Sequence, residues 1–362
     1  MKIVLDNIVF SLQQAGGISR YWFELARRFA RSGEQVSFIE QANNGRNIFR
    51  SKLDFGRCHV IAQNRIPTPI ARYLPVYAKV ETPAVFHSSY FRTCRRSGVF
   101  NIVTLYDFIY ERFDTGLRKH VHMLQKQYAI QHADGIICIS KNTENDLHEF
   151  YPEAEHVQTK VIYIGAGESF YPLDKTAIDT NAYAGILKQK YALFVGRRSE
   201  YKNFQTAVDA VSRMDNHWLV VAGGEALGSY EERLLQTKLG GRYFFIKAPS
   251  DSELNIFYNF AVCMLYPSSY EGFGIPVAEA MKAGCPVVTT SAASLPEVAG
   301  NAGLMIENID STEIVDTITL LENTSFRNRI VNLGLEQAKK FSWDTCFKET
   351  IAFYKQVTGS RH

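Results

Sequence analysis

The chain lacks most of the features that would assign it a class outright. No run approaches the 18 or so apolar residues that a membrane-spanning helix requires. The amino end, MKIVLDNIVFS, enters a strand-like run directly, without the basic start and small-residue cleavage site of a secretory leader, so a cytoplasmic protein is expected. Six cysteines (Cys58, Cys94, Cys138, Cys263, Cys285, Cys346) show neither CxxC nor any metal-ligand spacing. They read as small buried hydrophobes of a reducing compartment. There is no Asp-x-Asp pair, no low-complexity tract and no short-period repeat, and no nucleic-acid module is recognisable, so no nucleic-acid partner is expected. A dinucleotide site needs Gly-x-Gly-x-x-Gly directly after a first strand. NIVFSLQQAGG does not contain it and VAGGEALG has the wrong spacing, which argues against the alternative of an NAD(P)-dependent oxidoreductase.

What is present is the composition of an ordinary globular protein, 46% hydrophobic and 21% charged, in a 362-residue chain whose length suggests two domains. The net charge of +3 is unevenly placed: residues 1–170 carry 21 Lys/Arg against 16 Asp/Glu, and the remainder 19 against 21. Basic clusters occur at RRFAR (Arg27, Arg28, Arg31) and FRTCRRSGVF (Arg92, Arg95, Arg96). A solvated basic face is the plain reading; an anionic partner, such as a membrane surface or a phosphate-bearing acceptor, is the sharper one.

Short β-branched apolar runs alternate with helical patterns, which predicts parallel sheets covered by helices. Strands are expected at residues 2–6, 35–40, 84–89, 102–107, 135–140 and 159–165. After a polar, turn-rich connection the pattern restarts at 191–196, 218–224, 243–248, 262–268, 285–291 and 303–307. Helix-like ISRYWFELARRFARSG carries Trp22, Leu25, Ala26 and Phe29 on one stripe and stops at Gly33. The fold class is therefore α/β: two Rossmann-like doubly wound domains, residues 1–168 and 190–340, facing a cleft. A last helix, 341–362, with Phe347, Ile351, Phe353 and Tyr354 on its apolar side, is expected to pack back on the amino-terminal domain.

The most informative stretch is LYPSSYEGFGIPVAEAMKAGCP. VCMLYPS reads as a buried strand and SSYEG as its exit loop. Gly272 and Gly274 allow close approach of a ligand, Pro276 suits a helix's first turn, and Gly284 closes the helix. Glu271 then lies in the loop and Glu279 early in the helix, flanking an amino terminus that favours a phosphate. In FVGRRSEYKNF, a strand, a glycine, Arg197 or Arg198 and then Lys202 form a loop able to clamp a diphosphate.

EGFGIPVAE, followed by AGCPVVTTSAASLPEVAGNAG, resembles the nucleotide-sugar site of retaining glycosyltransferases of family 4, which have the GT-B fold. The resemblance covers nearly the whole chain and is strongest over 191–300. It implies that Glu271 holds the donor hexose hydroxyls and Glu279 the ribose hydroxyls. The amides of Phe273 and Gly274 would face sugar and phosphates, and Arg197 or Arg198 with Lys202 would stabilise the leaving diphosphate. It also implies a reaction without a metal or other cofactor. QAGGISRYW matches a glycine-rich loop of the family, with Gly16 and Gly17 near the ligand. One departure stands out: where family members read His-Asp, this chain has TLYDF, so Tyr106 takes the His position and Asp107 matches. Tyrosine hydrogen-bonds but is no neutral-pH base, and His87 in FHSSYF is a substitute candidate. YKNF and the LPEV segment resemble bacterial polysaccharide mannosyltransferases. GDP-mannose is accordingly the expected donor, and a glycan or polyprenyl-linked O-antigen or exopolysaccharide the expected acceptor, at the inner face of the plasma membrane. A third reading, a nucleotide-sugar-binding module without turnover, would follow from the Tyr106 replacement alone.

Overall fold

The computed structural model describes residues 1–41, 45–63, 66–77, 80–174 and 183–360. The chain divides into two compact units, Met1–Gly165 with Trp343–His362, and Ala166–Ser342. Part of the polar connection, 175–182, lies outside the described residues.

The first unit is built on a seven-stranded sheet: β1 (Lys2–Asp6), β2 (Gln35–Gln41), β3 (His59–Gln63), β4 (Ala84–Ser88), β5 (Val99–Leu105), β6 (Gly135–Cys138) and β7 (Gln158–Val161). Their order is β3-β2-β1-β4-β5-β6-β7 and every pairing is parallel. The second unit repeats the scheme with six strands: β8 (Lys190–Val195), β9 (His217–Ala222), β10 (Tyr243–Ile246), β11 (Cys263–Tyr266), β12 (Val287–Thr290) and β13 (Gly303–Ile306). Their order is β10-β9-β8-β11-β12-β13, again all parallel. Both sheets reverse strand order once, between β1 and β4 and between β8 and β11. Such a switch point opens a crevice beyond the carboxyl ends of the two strands.

The strands were legible because buried parallel strands are continuous apolar runs. The exception is β3, whose HVIAQ sits at the sheet edge, mostly exposed, with neither a continuous run nor a clean alternation to mark it.

Helix Trp343–Gly359 belongs to the first unit. Its buried face is Trp343, Cys346, Thr350, Phe353, Tyr354 and Val357. Phe347 and Ile351, expected at its centre, are only half-buried at its flank. Tyr354 stacks on Phe29 at 5.7 Å. Two glycines permit the close approach. A Cβ on Gly165 would lie 2.4 Å from the Trp343 amide nitrogen, and one on Gly135 would lie 2.7 Å from Val357.

Candidate functional site

In the second unit the switch point lies between neighbours β8 and β11, paired through Cys263 with Ala192 and Met264 with Leu193. The loops leaving these two strands carry the sequence candidates. After β8 the chain turns at Gly196 (φ +110°), makes a short 3-10 turn over Glu200–Lys202 and starts helix Phe204–Ser212. Asn203, in left-handed backbone, ties this loop to the one after β11: its side-chain amide donates to the Pro267 carbonyl (2.9 Å) and to Ser269 Oγ (2.7 Å). The Ser269 amide returns a bond to the Tyr201 carbonyl at 2.7 Å.

Stapled in this way, the loops bring Lys202 and Glu271 together. Lys202 Nζ donates to Glu271 Oε1 and to the Tyr266 hydroxyl, both at 2.8 Å, and stands 4.7 Å from the Tyr266 ring centre. The two charged side chains are only 10% and 12% exposed. Burial first, and then the Glu271 charge and hydrogen bond, push the Tyr266 phenol far up, so it remains a protonated donor to Glu271. Sequence reading missed Tyr266, whose hydroxyl is hidden at the end of an apolar strand run.

Glu271 is followed by Gly272 and Phe273. Phe273 is buried and packs edge-on against Phe341 at 5.4 Å, so its ring is core. Gly274 (φ +93°) precedes helix Ile275–Lys282, with a proline in the first turn as expected. A Cβ there would lie 3.1 Å from Leu295, and Ser294 Oγ donates to the Glu271 carbonyl at 2.8 Å. The LPEV segment therefore buttresses this loop. Glu279, on the helix, is 8% exposed. Its charge and hydrogen bond help hold the Tyr258 phenol far above its usual range, after burial.

The two arginines separate cleanly. Arg198, one of the two candidate catalytic cations, has its guanidinium occupied within the protein. It donates to Glu231 (2.7 Å) and to the carbonyls of Gly223 (3.2 Å), Glu225 (2.7 Å) and Ala226 (3.2 Å), and is 4% exposed. It holds the loop after β9, where a Cβ on Gly224 would lie 2.9 Å from both the Arg198 guanidinium and the Gly196 carbonyl. Arg197 is exposed and is the arginine available to a ligand.

The remaining candidates belong to the first unit. Gly16 and Gly17 are exposed at the start of helix Gly17–Arg31, where Ser19 Oγ donates to the Gly16 carbonyl at 3.0 Å. Asp107 is half-buried and accepts from the Ile109 amide at 3.2 Å. His87 requires a correction: it is fully buried in β4, with Nε2 on Thr104 Oγ1 at 2.8 Å and Nδ1 on the Tyr354 hydroxyl. Burial lowers its pKa to about 3, and with both nitrogens engaged inside the core it does not reach a substrate. Tyr106 is buried too. Its hydroxyl donates to the Ser89 carbonyl (3.3 Å), and burial drives it far above the usual tyrosine range, so it supplies no base.

The basic clusters are less open than their composition suggested. Glu24, 4% exposed, takes ion pairs from Arg20, Arg27 and Arg28, and Arg28 also pairs with Asp344. Arg92 is buried against Asp6 at 3.0 Å. Arg95 and Arg96 remain exposed. All six cysteines are free, five of them buried. No helix among the described residues is long and apolar enough to cross a membrane.

Two parallel-sheet Rossmann-like units with this strand order define a GT-B protein, and solved structures agree. The chain is similar to sucrose-phosphate synthase of Thermosynechococcus elongatus, with a TM-score of 0.77 at 19% identity over 99% of this chain and 100% of that one. It is also similar to HepE of Anabaena in complex with UDP and glucose, at 0.74 and 18% over 98% and 99%. The family Glycosyltransferase Family 4 matches residues 15–166, and Glycosyl transferases group 1 matches residues 179–337. The chain thus carries a Glycosyltransferase Family 4 domain followed by a Glycosyl transferases group 1 domain on a GT-B fold. Among curated relatives, O-antigen chain mannosyltransferase B of Escherichia coli is 35% identical over 46% of each chain. The chain spans about half to three fifths of the length of the curated relatives it matches first.

Proposed function

We propose that the protein is a retaining glycosyltransferase that moves mannose from GDP-mannose onto a growing, polyprenyl-linked O-antigen or exopolysaccharide glycan at the inner face of the plasma membrane. The observation that carries the reading is the Lys202–Glu271–Tyr266 cluster at the switch point of the second sheet, beside the start of helix Ile275–Lys282. The donor preference is supported by two E. coli relatives named O-antigen chain mannosyltransferase B and serotype-specific mannosyltransferase WbdA.

In this reading the bond from the donor's anomeric carbon to the diphosphate oxygen breaks and a bond to an acceptor hydroxyl oxygen forms on the same face. The hydroxyl proton passes to the departing diphosphate, so no protein base is needed, consistent with the buried state of His87 and Tyr106. Lys202 and exposed Arg197 offset the charge that develops on the leaving group. Glu271 accepts hydrogen bonds from the hexose hydroxyls and Glu279 from the ribose hydroxyls. Main chain at Phe273–Gly274 and the helix start face the phosphates. Gly16, Gly17 and Asp107 are the first unit's candidates for ligand contact.

A thermal-shift screen against GDP-mannose, UDP-glucose, ADP-glucose and dTDP-glucose tests the donor. The preferred sugar nucleotide at 100 times its dissociation constant adds about 2.7 kcal/mol of stability. Silence with GDP-mannose beside a response to another donor removes mannose, and an inverted anomeric product removes the retaining mechanism. Arg197→Ala should raise the donor KM with stability unchanged, whereas Arg198→Ala should destabilise the second unit.

A further inference from the structure

The first unit displays an apolar face that its own core does not cover. Nine of the sixteen large apolar side chains most exposed among the described residues fall within residues 66–77 and 113–124, two segments that meet in the fold. Helix Leu117–Gln131 turns Lys126, Ala129 and Ile130 inward and presents Leu117 (79% exposed), Val121 (39%) and Leu124 (64%) outward, one side of the helix at spacings of four and three. Tyr73 (47%) and Leu74 (38%) line one cavity with Val121 and Leu124, and Ile70 (55%) and Tyr77 (76%) are exposed in the same segment as Tyr73. The two segments are joined beneath the surface. Gln125 donates to the Arg72 carbonyl, and Arg72 and His122 both reach the Tyr90 hydroxyl, at 2.9 and 3.1 Å. Between them lies a cavity of about 320 Å³ with mainly apolar walls, among them Tyr73, Leu74, Val121 and Leu124. Two buried atoms on its walls, Thr93 Oγ1 and Gln125 Oε1, have no hydrogen-bond partner.

Charge selects the occupant. Residues 66–77, 92–96 and 113–128 contain seven Lys/Arg and one acid, Asp114. Arg92 and Lys126 are buried against Asp6 and Glu111, but Arg95 and Arg96 are exposed, and Arg95 lies 5.3 Å over the Tyr128 ring at the cavity wall. An outward apolar stripe with tyrosines beside it and a basic fringe fits the boundary between headgroups and acyl chains of an anionic membrane. We propose that this face docks onto an anionic lipid bilayer, with Leu117, Leu124 and Tyr77 inserting and Arg95 and Arg96 meeting the headgroup phosphates. The proposal names the surface by which a transferase of membrane-borne acceptors would reach them; it rests on that reading for its purpose and is tested without turnover, so the two fail separately.

The intact chain is sedimented with vesicles of phosphatidylcholine alone or mixed with phosphatidylglycerol. The mixed vesicles should retain the protein, with binding falling as NaCl rises. Leu117→Glu/Leu124→Glu and Arg95→Glu/Arg96→Glu should each weaken the partition at least about tenfold. Leu320→Glu, at a 54% exposed leucine of the second unit, should leave it unchanged. Circular dichroism checks folding, and the milder Leu117→Ser/Leu124→Ser pair provides the same readout if the glutamates perturb it. No retention by phosphatidylglycerol vesicles overturns the proposal, as does undiminished binding of the leucine variants. A wild-type dimer in solution that those variants dissolve would also overturn it, by making the patch a self-association surface.

Discussion

Replacing Lys202 with methionine tests whether the Lys202–Glu271 pair organises the second unit's switch point. The two charges meet at 2.8 Å with 10% and 12% of their side chains exposed. At an effective dielectric of about 20 their attraction is about 6 kcal/mol, most of it offset by removing both ions from water. Deleting the ammonium leaves the Glu271 carboxylate in place with its Tyr266 bond and no counter-charge, which costs about 3 kcal/mol. Amide hydrogen exchange along β8 and β11 reads that loss strand by strand, and 3 kcal/mol corresponds to about a hundredfold faster exchange. Adding Glu271→Gln removes the uncompensated charge and should restore about 2 kcal/mol of the loss. Exchange in Lys202→Met within threefold of wild type, or a double variant no slower than the single one, would refute the idea that the loops are held by a largely desolvated ion pair.

Acid should destabilise the first unit through His87. Its folded-state pKa is lowered to about 3 by burial against an ordinary value of 6.5. Stability is therefore complete above about pH 6.5 and falls by about 1.4 kcal/mol per unit as pH drops towards 3, because only the unfolded chain takes the proton. Denaturant titrations at several pH values should show this slope reduced by one proton in His87→Gln, while His122, also lowered to about 3, adds a slope of the same sign. Tyr354→Phe strips a hydrogen-bond partner from His87 Nδ1 and should cost about 1–3 kcal/mol in urea unfolding of the first unit; no change would mean that the nitrogen finds another partner. Gly274→Ala forces a side chain into left-handed backbone 3.1 Å from Leu295 and should lower stability by about 1–3 kcal/mol and raise the donor KM. Unchanged melting would show that the loop can relax.

The recurrent strand pattern, the start of helix Ile275–Lys282 and the candidates in the loops after β8 and β11 were legible in the sequence. Buried parallel strands are uninterrupted apolar runs, and Gly274 and Pro276 are local signals of a helix start. Edge strand β3 was not legible, because exposure on both faces erases the pattern that reading depends on. The inward face of the last helix was legible only in part, at Phe353 and Tyr354. Phe347 and Ile351 look like its core, yet Gly135 and Gly165 let the chain approach along Trp343, Phe353 and Val357.

Residue type alone established which groups could do chemistry: two glutamates, a lysine, adjacent arginines and a lone strand-end histidine. Which of them can act was decided by tertiary structure, since availability depends on burial and on partners distant in sequence. Arg197 and Arg198 are indistinguishable as letters, but 33 residues further on Glu231 engages Arg198, while Arg197 stays exposed. His87 is claimed by Tyr354, 267 residues away on the returning helix. Lys202 and Glu271, 69 residues apart, become one site because β8 and β11 are neighbours where the strand order reverses, and that adjacency is a property of the sheet.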